Sequence, residues 1–493
     1  MSRSSKAFTE IDCEVTSFTE KGLGLARGAL SSGQIVSVEV FGTMPGDHVR
    51  VALLSKSAGV HGSFLREIIK PAPDRVKAPC SHFGDCGGCR WQHLSYSHQL
   101  SRKDDFVKKQ FASLIRDFPD LAAAAVFHPI LPAENPWQYR NKMEFSFSEN
   151  ASGDQFLGLV KSCGKGRVVN LEECHLTSSW FTKALGAVRQ WWSNSKLEAY
   201  NMPRDKGSLR TLTVREGIRT GDRMVDLAIS GNPNSPVSSN QLDSLVEILR
   251  RRIELKDKPL TVCLRLHMAV KGRPTEFIEK ILYGPGYIRE QLLIAKDIAT
   301  EKKDITFNIS PSAFFQPNTK QAEHLYAAAL RLGKISKEDV VYDLYCGTGT
   351  FSLFAATVAK AVVGIELNAD AVKDAQSNAK KNGLTNATFF AGDTGIILQE
   401  LGTTASLPRP DIVVVDPPRP GLDDRAIEEI LSIAPKTIVY ISCNPISQAQ
   451  NLRVLLSRGY RLTDVQPVDQ FPQTVHVENI AILTRAISNE AGL

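Results

Sequence analysis

The sequence predicts a multidomain α/β chain with a small N-terminal β-barrel, a central α+β domain and a C-terminal doubly wound sheet. Three observations carry this. The 493 residues are too many for one hydrophobic core, so about three domains are expected. Residues 8–70 are short alternating segments broken by glycine turns, the pattern of a small barrel. From residue 340 onward β-like and α-like segments alternate, which is the rhythm of βαβ units and of a parallel sheet.

In the barrel, segments 13–18, 34–40 and 47–53 alternate apolar with polar residues, and Lys21-Gly22-Leu23-Gly24 and Pro45-Gly46-Asp47 supply turns. Small barrels of the OB type often bind RNA through a strand face and its loops. A charged stretch, Lys70-Pro71-Ala72-Pro73-Asp74-Arg75, closes the unit, which gives a first domain of residues 1–72 and a central domain of 73–306. There, hairpin-like pairs such as 209–215 with 224–230 are interleaved with helical stretches such as 241–251. The last domain, 307–493, opens with a loop at 311–318 and a helical segment at 319–332. Its strands are expected at 340–344, 361–366, 388–391, 412–415 and 437–442, with a helix over 369–381 stopped by Asn382-Gly383.

A hydrophobic content of 42% with 23% charged residues is that of a soluble globular protein. The first ten residues hold no apolar run suited to a secretion signal. No segment approaches the ~18 uncharged apolar residues of a membrane helix, so a cytoplasmic protein without a membrane partner is expected. The net charge of +6 hides an asymmetry. Residues 340–493 carry 12 Lys and Arg against 16 Asp and Glu, leaving 47 against 37 for residues 1–339. The basic excess thus lies away from the glycine-rich loop described next; it points to a polyanion, or else to charge spread over a solvated surface. Nine cysteines, an odd number in a cytosolic chain, argue against a disulfide framework and for metal binding or catalysis.

Asp343-Leu344-Tyr345-Cys346-Gly347-Thr348-Gly349-Thr350 joins a strand to a helix, and its glycines let the backbone turn tightly and approach a ligand. Glu366 ends the next strand, where a carboxylate can accept hydrogen bonds from ribose hydroxyls, and Gly392-Asp393 follows the strand after that. A pyrophosphate-binding loop would need a third glycine where Ser352 stands, and a Walker lysine is also missing. The cofactor that fits is a nucleoside without pyrophosphate, S-adenosylmethionine.

Two further strand ends complete the pattern. One delivers Asp416-Pro417-Pro418-Arg419, with arginine where methylases of exocyclic amines often carry an aromatic, so a different chemistry is expected. The other, Ile438-Val439-Tyr440-Ile441-Ser442-Cys443-Asn444-Pro445, presents one thiol and stops at proline. In an open α/β sheet such ends face one crevice, which sets the thiol opposite the cofactor. The other reading of Cys443 is an inert packed thiol. Cys80, Cys86 and Cys89 form a second grouping in a glycine-rich loop. A radical-type cluster would want closer spacing, and three clustered thiols need a fourth ligand.

These blocks, with Tyr139-Arg140-Asn141-Lys142, Phe315-Gln316-Pro317-Asn318 and His476-Val477-Glu478-Asn479, resemble the RNA uracil-5 methyltransferase family. The resemblance spans nearly the whole chain and is closest to the branch with an N-terminal TRAM barrel and an iron-sulfur cluster, which includes bacterial 23S ribosomal RNA enzymes. It implies a C-terminal Rossmann-like methyltransferase domain. It further implies cofactor contacts at Gln316, Tyr345, Thr350, Glu366, Asp393 and Asp416, a nucleophile at Cys443, a base at Glu478 and an aromatic at Phe314 that stacks near a flipped-out base. Cys174 would complete a [4Fe-4S] set with Cys80, Cys86 and Cys89, with Cys163 as rival fourth ligand and zinc as rival metal. The expected substrate is ribosomal RNA, with transfer RNA as the alternative, and the expected state is a monomer. A cytosine-5 methylase or a non-catalytic RNA-binding factor keeping the fold are the competing readings.

Overall fold

A computed structural model describes residues 8–162, 166–268, 276–298, 304–403 and 408–486. The chain divides into two compact units: Met1–Ser101 with Phe145–His175 and Phe471–Val475, and Arg102–Glu144 with Leu176–Gln470 and His476–Leu493.

In the first unit, strands Glu10–Phe18, Gly24–Ala29, Ile35–Val40, His48–Ser57 and Val60–Lys70 close into a barrel. Alternate residues, among them Cys13, Val15, Val36, Val38, Val49 and Val51, point inward as its core, as period-two patterning requires. Gly28 admits no side chain, because a Cβ there would stand 2.4 Å from the Cys13 sulfur. The charged stretch after the barrel is fastened to it. Asp47 accepts hydrogen bonds from Arg75 Nη2 at 2.5 Å and from the Ala72 and Met44 amides at 2.8 Å.

The second unit is built on an eight-stranded sheet. Its order is Ala387–Ala391, Ala361–Glu366, Val340–Leu344, Ile412–Val415, Thr437–Ser442, Glu478–Arg485, Tyr460–Val468 and Val126–Phe127. The middle strands Val340–Leu344 and Ile412–Val415 are buried at every position, as parallel strands covered on both faces are. The five expected strands agree with the observed ones to within a residue, and helix Ala369–Lys381 has the expected bounds. The sheet departs from the expected all-parallel order on one side: Glu478–Arg485 runs antiparallel to both of its neighbours. The connection after Val468 is too short to carry a crossover helix, so the chain turns back and inserts its last strand beside the strand that ends at Ser442.

Lys103 and Asp469, each fully buried, form an ion pair of 2.5 Å in this unit. Lys103→Met strands the carboxylate and is expected to cost about 3–5 kcal/mol, whereas Lys103→Met with Asp469→Leu should cost far less. Urea unfolding of the two variants tests this; equal losses would mean that packing, and not charge, sets the cost.

Strands Leu209–Glu216, Arg223–Ser230, Leu260–Met268 and Glu276–Tyr283 make a separate sheet region of the second unit. Arg223–Ser230 pairs antiparallel with Leu209–Glu216, as the hairpin pattern predicts, and parallel with Leu260–Met268.

Candidate active site

The register of the sheet places the thiol and the carboxylate together. Ser442 pairs with Asn479 in antiparallel register, so the next residue on one strand, Cys443, stands opposite the preceding residue on the other, Glu478. Asn444 then caps helix Pro445–Ser457, its side chain accepting the Ile446 amide, with proline at the first helical position. Cys443 is thereby held between a strand end and a helix start. The turn is bolted to the neighbouring strand end, because Asn444 Nδ2 and Ser447 Oγ both donate to the Arg419 carbonyl, at 2.9 and 3.0 Å.

Burial, then the carboxyls of Glu478 and Asp416, push the half-buried Cys443 thiol up to about 11, with Arg419 acting in the opposite sense. Burial and Asp416 raise Glu478, and burial raises Asp416. Asp343, pushed up to about 7 by burial, adds a third carboxyl and hydrogen-bonds Ser352. Crowding of this kind disfavours free anions and favours a proton shared among the carboxyls. Because only the thiolate is nucleophilic, alkylation of Cys443 by iodoacetamide should climb about tenfold per pH unit from neutral pH, with no plateau before pH ~9. Peptide mass spectrometry reads the rate, and a plateau near pH 7 would contradict this environment.

The glycine loop and Glu366 form the second part. Gly349 lies at φ +76°, and a Cβ there would stand 3.0 Å from Ala375 and the Phe389 ring; a Cβ at Gly347 would meet nothing within 4 Å. Glu366 spans the turn, accepting the Gly347 amide at 3.1 Å and the Asn368 amide at 2.9 Å. Gly347, Glu366 and Phe314 line a cavity of ≈ 340 Å³, together with Glu279, Asp370 and Asp374. Lys373, paired with Asp370 at 2.8 Å, also lines it, and the lining that remains is net acidic, which suits a cationic sulfonium nucleoside and repels a pyrophosphate.

The remaining expected residues lie around these two parts. Thr350, buried at the start of helix Thr350–Ala356, is 3.4 Å from Thr348, whose hydroxyl bonds the Phe314 carbonyl. Tyr345 holds a left-handed φ of +67°, sparsely populated for a side chain of its size. Burial first, then Asp423 and Asp393, push its phenol up to about 12. Asp393 is exposed at the start of helix Thr394–Thr403 and accepts the Ile396 amide at 3.0 Å. Gln316 is buried, with its Oε1 accepting Gln470 Nε2 at 3.2 Å. The cavity gathers only Phe314 and Glu366 of the expected set; Asp416, Cys443 and Glu478 form their own cluster.

Sequence reasoning missed what positions these groups. Fully buried Arg215 donates through Nη1 to the carbonyls of Ser310 and Ala313, at 3.1 and 2.8 Å, and so braces the loop that exposes Phe314 to 63%. Asn141 Nδ2 donates to the Gln316 carbonyl at 2.8 Å, a role the quoted Tyr139–Lys142 block did not reveal. An arginine following Leu212 and Val214 near the end of strand Leu209–Glu216 was the available signal for Arg215.

In the first unit, Cys80, Cys86, Cys89 and Cys174 are all free thiols. After burial, Glu173 and Cys174 raise the Cys80 thiol, and Cys174, Cys80 and Asp85 raise Cys86, so these groups act on one another electrostatically. Cys86 Sγ accepts the Gly88 amide at 3.4 Å. Cys80 also lies within 4.8 Å of ligand atoms of Glu173 and His175. Cys163 lies outside the described residues.

A family model described as tRNA (uracil-5-)-methyltransferase matches residues 246–486. An uncharacterized RNA methyltransferase of Protochlamydia amoebophila is 49% identical over 449 residues, covering 91% of this chain and 100% of the relative. One from Caldanaerobacter subterraneus is 34% identical, covering 97% and 98%. The crystal structure of Pyrococcus abyssi tRNA (uracil-54, C5)-methyltransferase with S-adenosyl-L-homocysteine has a TM-score of 0.69 at 23% identity, covering 96% of this chain and 99% of that one; it shares the fold. No helix among the described residues is long and apolar enough to cross a membrane. The chain belongs to the family of S-adenosylmethionine-dependent RNA (uracil-5-)-methyltransferases.

Proposed function

We propose that this enzyme methylates a specific uridine of 23S ribosomal RNA through a covalent bond between Cys443 and the ring. The observation that carries the mechanism is the register that sets Cys443 opposite Glu478, beside Asp416. Carbon 5 of uracil is a poor nucleophile. Addition of the Cys443 thiolate to carbon 6 moves the ring electrons into an enolate, and carbon 5 then takes the methyl group. The bound cofactor supplies that methyl from its sulfonium and leaves as S-adenosylhomocysteine. Glu478 removes the proton from carbon 5, the 5,6 double bond re-forms, and the thiolate is expelled. Gln316, Tyr345, Thr350, Glu366, Asp393 and Asp416 hold the cofactor in this reading, and Phe314 stacks near the extruded base.

The barrel contributes RNA binding, and the four thiols of Cys80, Cys86, Cys89 and Cys174 fit a [4Fe-4S] cluster with a structural role: all four lie free in the first unit, and the Gly88 amide donates to the Cys86 sulfur. The group Cys80, Glu173 and His175 supports zinc as a second reading. Iron, sulfide and zinc analysis of anaerobically purified protein decides; about four irons and four sulfides per chain are expected, and stoichiometric zinc without sulfide would replace the cluster.

The barrel and cysteine loop favour ribosomal RNA by resemblance, whereas the family description favours transfer RNA. Methyl-labelled cofactor offered with 23S RNA and with bulk tRNA from a deletion strain tests the choice. Label in 5-methyluridine of 23S RNA is expected; label in tRNA alone would select the second reading.

A further inference from the structure

One face of the four-stranded sheet region leads away from the cofactor cavity. Register pairs Cys263 with Ile281, Arg265 with Glu279 and His267 with Phe277; it also pairs Arg265 with Ala228, and Ala228 with Thr211. Directly paired residues share a face. Glu279 lines the same cavity as Phe314 and Glu366, and it accepts Ser312 Oγ at 3.4 Å. Phe277 is two residues along the strand, about 7 Å from Glu279, on the same face, and 57% exposed.

Its ring stacks on His267, with centroids 5.0 Å apart and planes at 31°. Arg210 is the extra residue of the irregularity between the Ala228–Thr211 and Ile229–Leu209 pairs, where strict alternation of faces lapses, and it lies close enough to His267 to act on the imidazole. Its guanidinium sits 4.3 Å above the Tyr200 ring, and no ion pair among the described residues neutralises it. Rings and a partly exposed cation without an ion pair among the described residues therefore lie side by side across the sheet, beginning one step from the cavity. An apolar protein partner would not call for that cation. An RNA strand whose target base enters the site next to Phe314 must lay its neighbours on an adjoining surface, and unstacked bases bind to aromatic faces and guanidinium planes.

We propose that Tyr200, Arg210, His267 and Phe277 form a stacking platform for the unpaired nucleotides that flank the target uridine. It rests on the RNA methyltransferase activity but not on the role of Cys443. The platform discriminates single-stranded from paired surroundings, because only splayed bases present their faces to it.

The test uses the full chain with S-adenosylhomocysteine and a short fluorescein-labelled oligouridylate, with affinity read by anisotropy across a salt series. Phe277→Ala should weaken binding about tenfold with an unchanged salt slope. Arg210→Ala should also weaken it and reduce the slope by about 1. Phe277→Trp should restore affinity. Ile278→Ala, on the opposite face of the same strand and 53% exposed, should bind as the unaltered chain does. Oligouridylate carrying 4-thiouridine should photocrosslink the unaltered chain within 276–283 or 200–210. Affinity unchanged in both Phe277→Ala and Arg210→Ala, an equal loss in Ile278→Ala, or crosslinks confined to other segments would overturn the platform. Methyl transfer to RNA by the unaltered chain, measured alongside, keeps a failure of the platform distinguishable from a failure of the methyltransferase reading.

Discussion

Cys443→Ala abolishes methyl transfer, with a loss on the order of 10⁴-fold or more, the scale expected when a covalent nucleophile is removed. Without sulfur at this position, carbon 5 keeps its low reactivity however well the cofactor is placed. The side chain is half-buried at a strand end, so its truncation removes little packing. S-adenosylhomocysteine should still raise the melting temperature of the variant. Methyl transfer within about tenfold of the unaltered enzyme would contradict a covalent route, since general acid-base help alone contributes ~10²–10⁴. Loss of the cofactor-induced shift would instead mark a damaged pocket.

Glu478→Gln leaves the first half of the reaction intact and blocks the second. Methylated ring and Cys443 should remain joined, so a denaturation-resistant protein–RNA adduct accumulates on natural RNA while turnover falls by ~10²–10⁴. Gel retardation after denaturation reads it; full turnover without adduct would remove Glu478 from the mechanism. Stability supplies a separate check. Burial and Asp416 raise the folded-state pKa of Glu478, so the native enzyme is more stable below the ordinary carboxylate range and loses that contribution as pH rises through the raised value. The amide that replaces the carboxyl in Glu478→Gln has no proton to lose. The variant should therefore gain relative stability as pH increases, and a pH-independent difference would contradict the buried environment.

Much of the second unit was legible in the sequence. The strands ending at Leu344, Glu366, Val415 and Ser442 were readable because central parallel strands are continuous apolar runs with polar chemistry at their ends. The strand Glu478–Arg485 was not, because its insertion between the strand just before it, Tyr460–Val468, and the earlier Thr437–Ser442 is decided by connection length and sheet pairing, which no local pattern encodes. That insertion buries Glu478 beside Cys443, so the sequence could nominate the two residues but not their juxtaposition. Arg215 and Asn141 escaped for a related reason. Both act through backbone carbonyls of the 310–316 loop, and a side chain's bond to a remote carbonyl leaves no spacing to read. Cys80, Cys86 and Cys89 were readable as a set from residues 80–89, whereas Glu173 and His175 beside Cys80 emerge only when the chain is folded.

The measurement that bears most directly on the covalent route is identification of the residue joined to RNA carrying 5-fluorouridine at the target position, in the presence of S-adenosylmethionine. Fluorine cannot leave carbon 5 as a proton does, so the ring should stay bonded after methyl transfer. Digestion and mass spectrometry should then find the methylated fluorouridine on the peptide containing Cys443. Attachment to any other residue, or a completed reaction cycle with no attachment, would contradict the account.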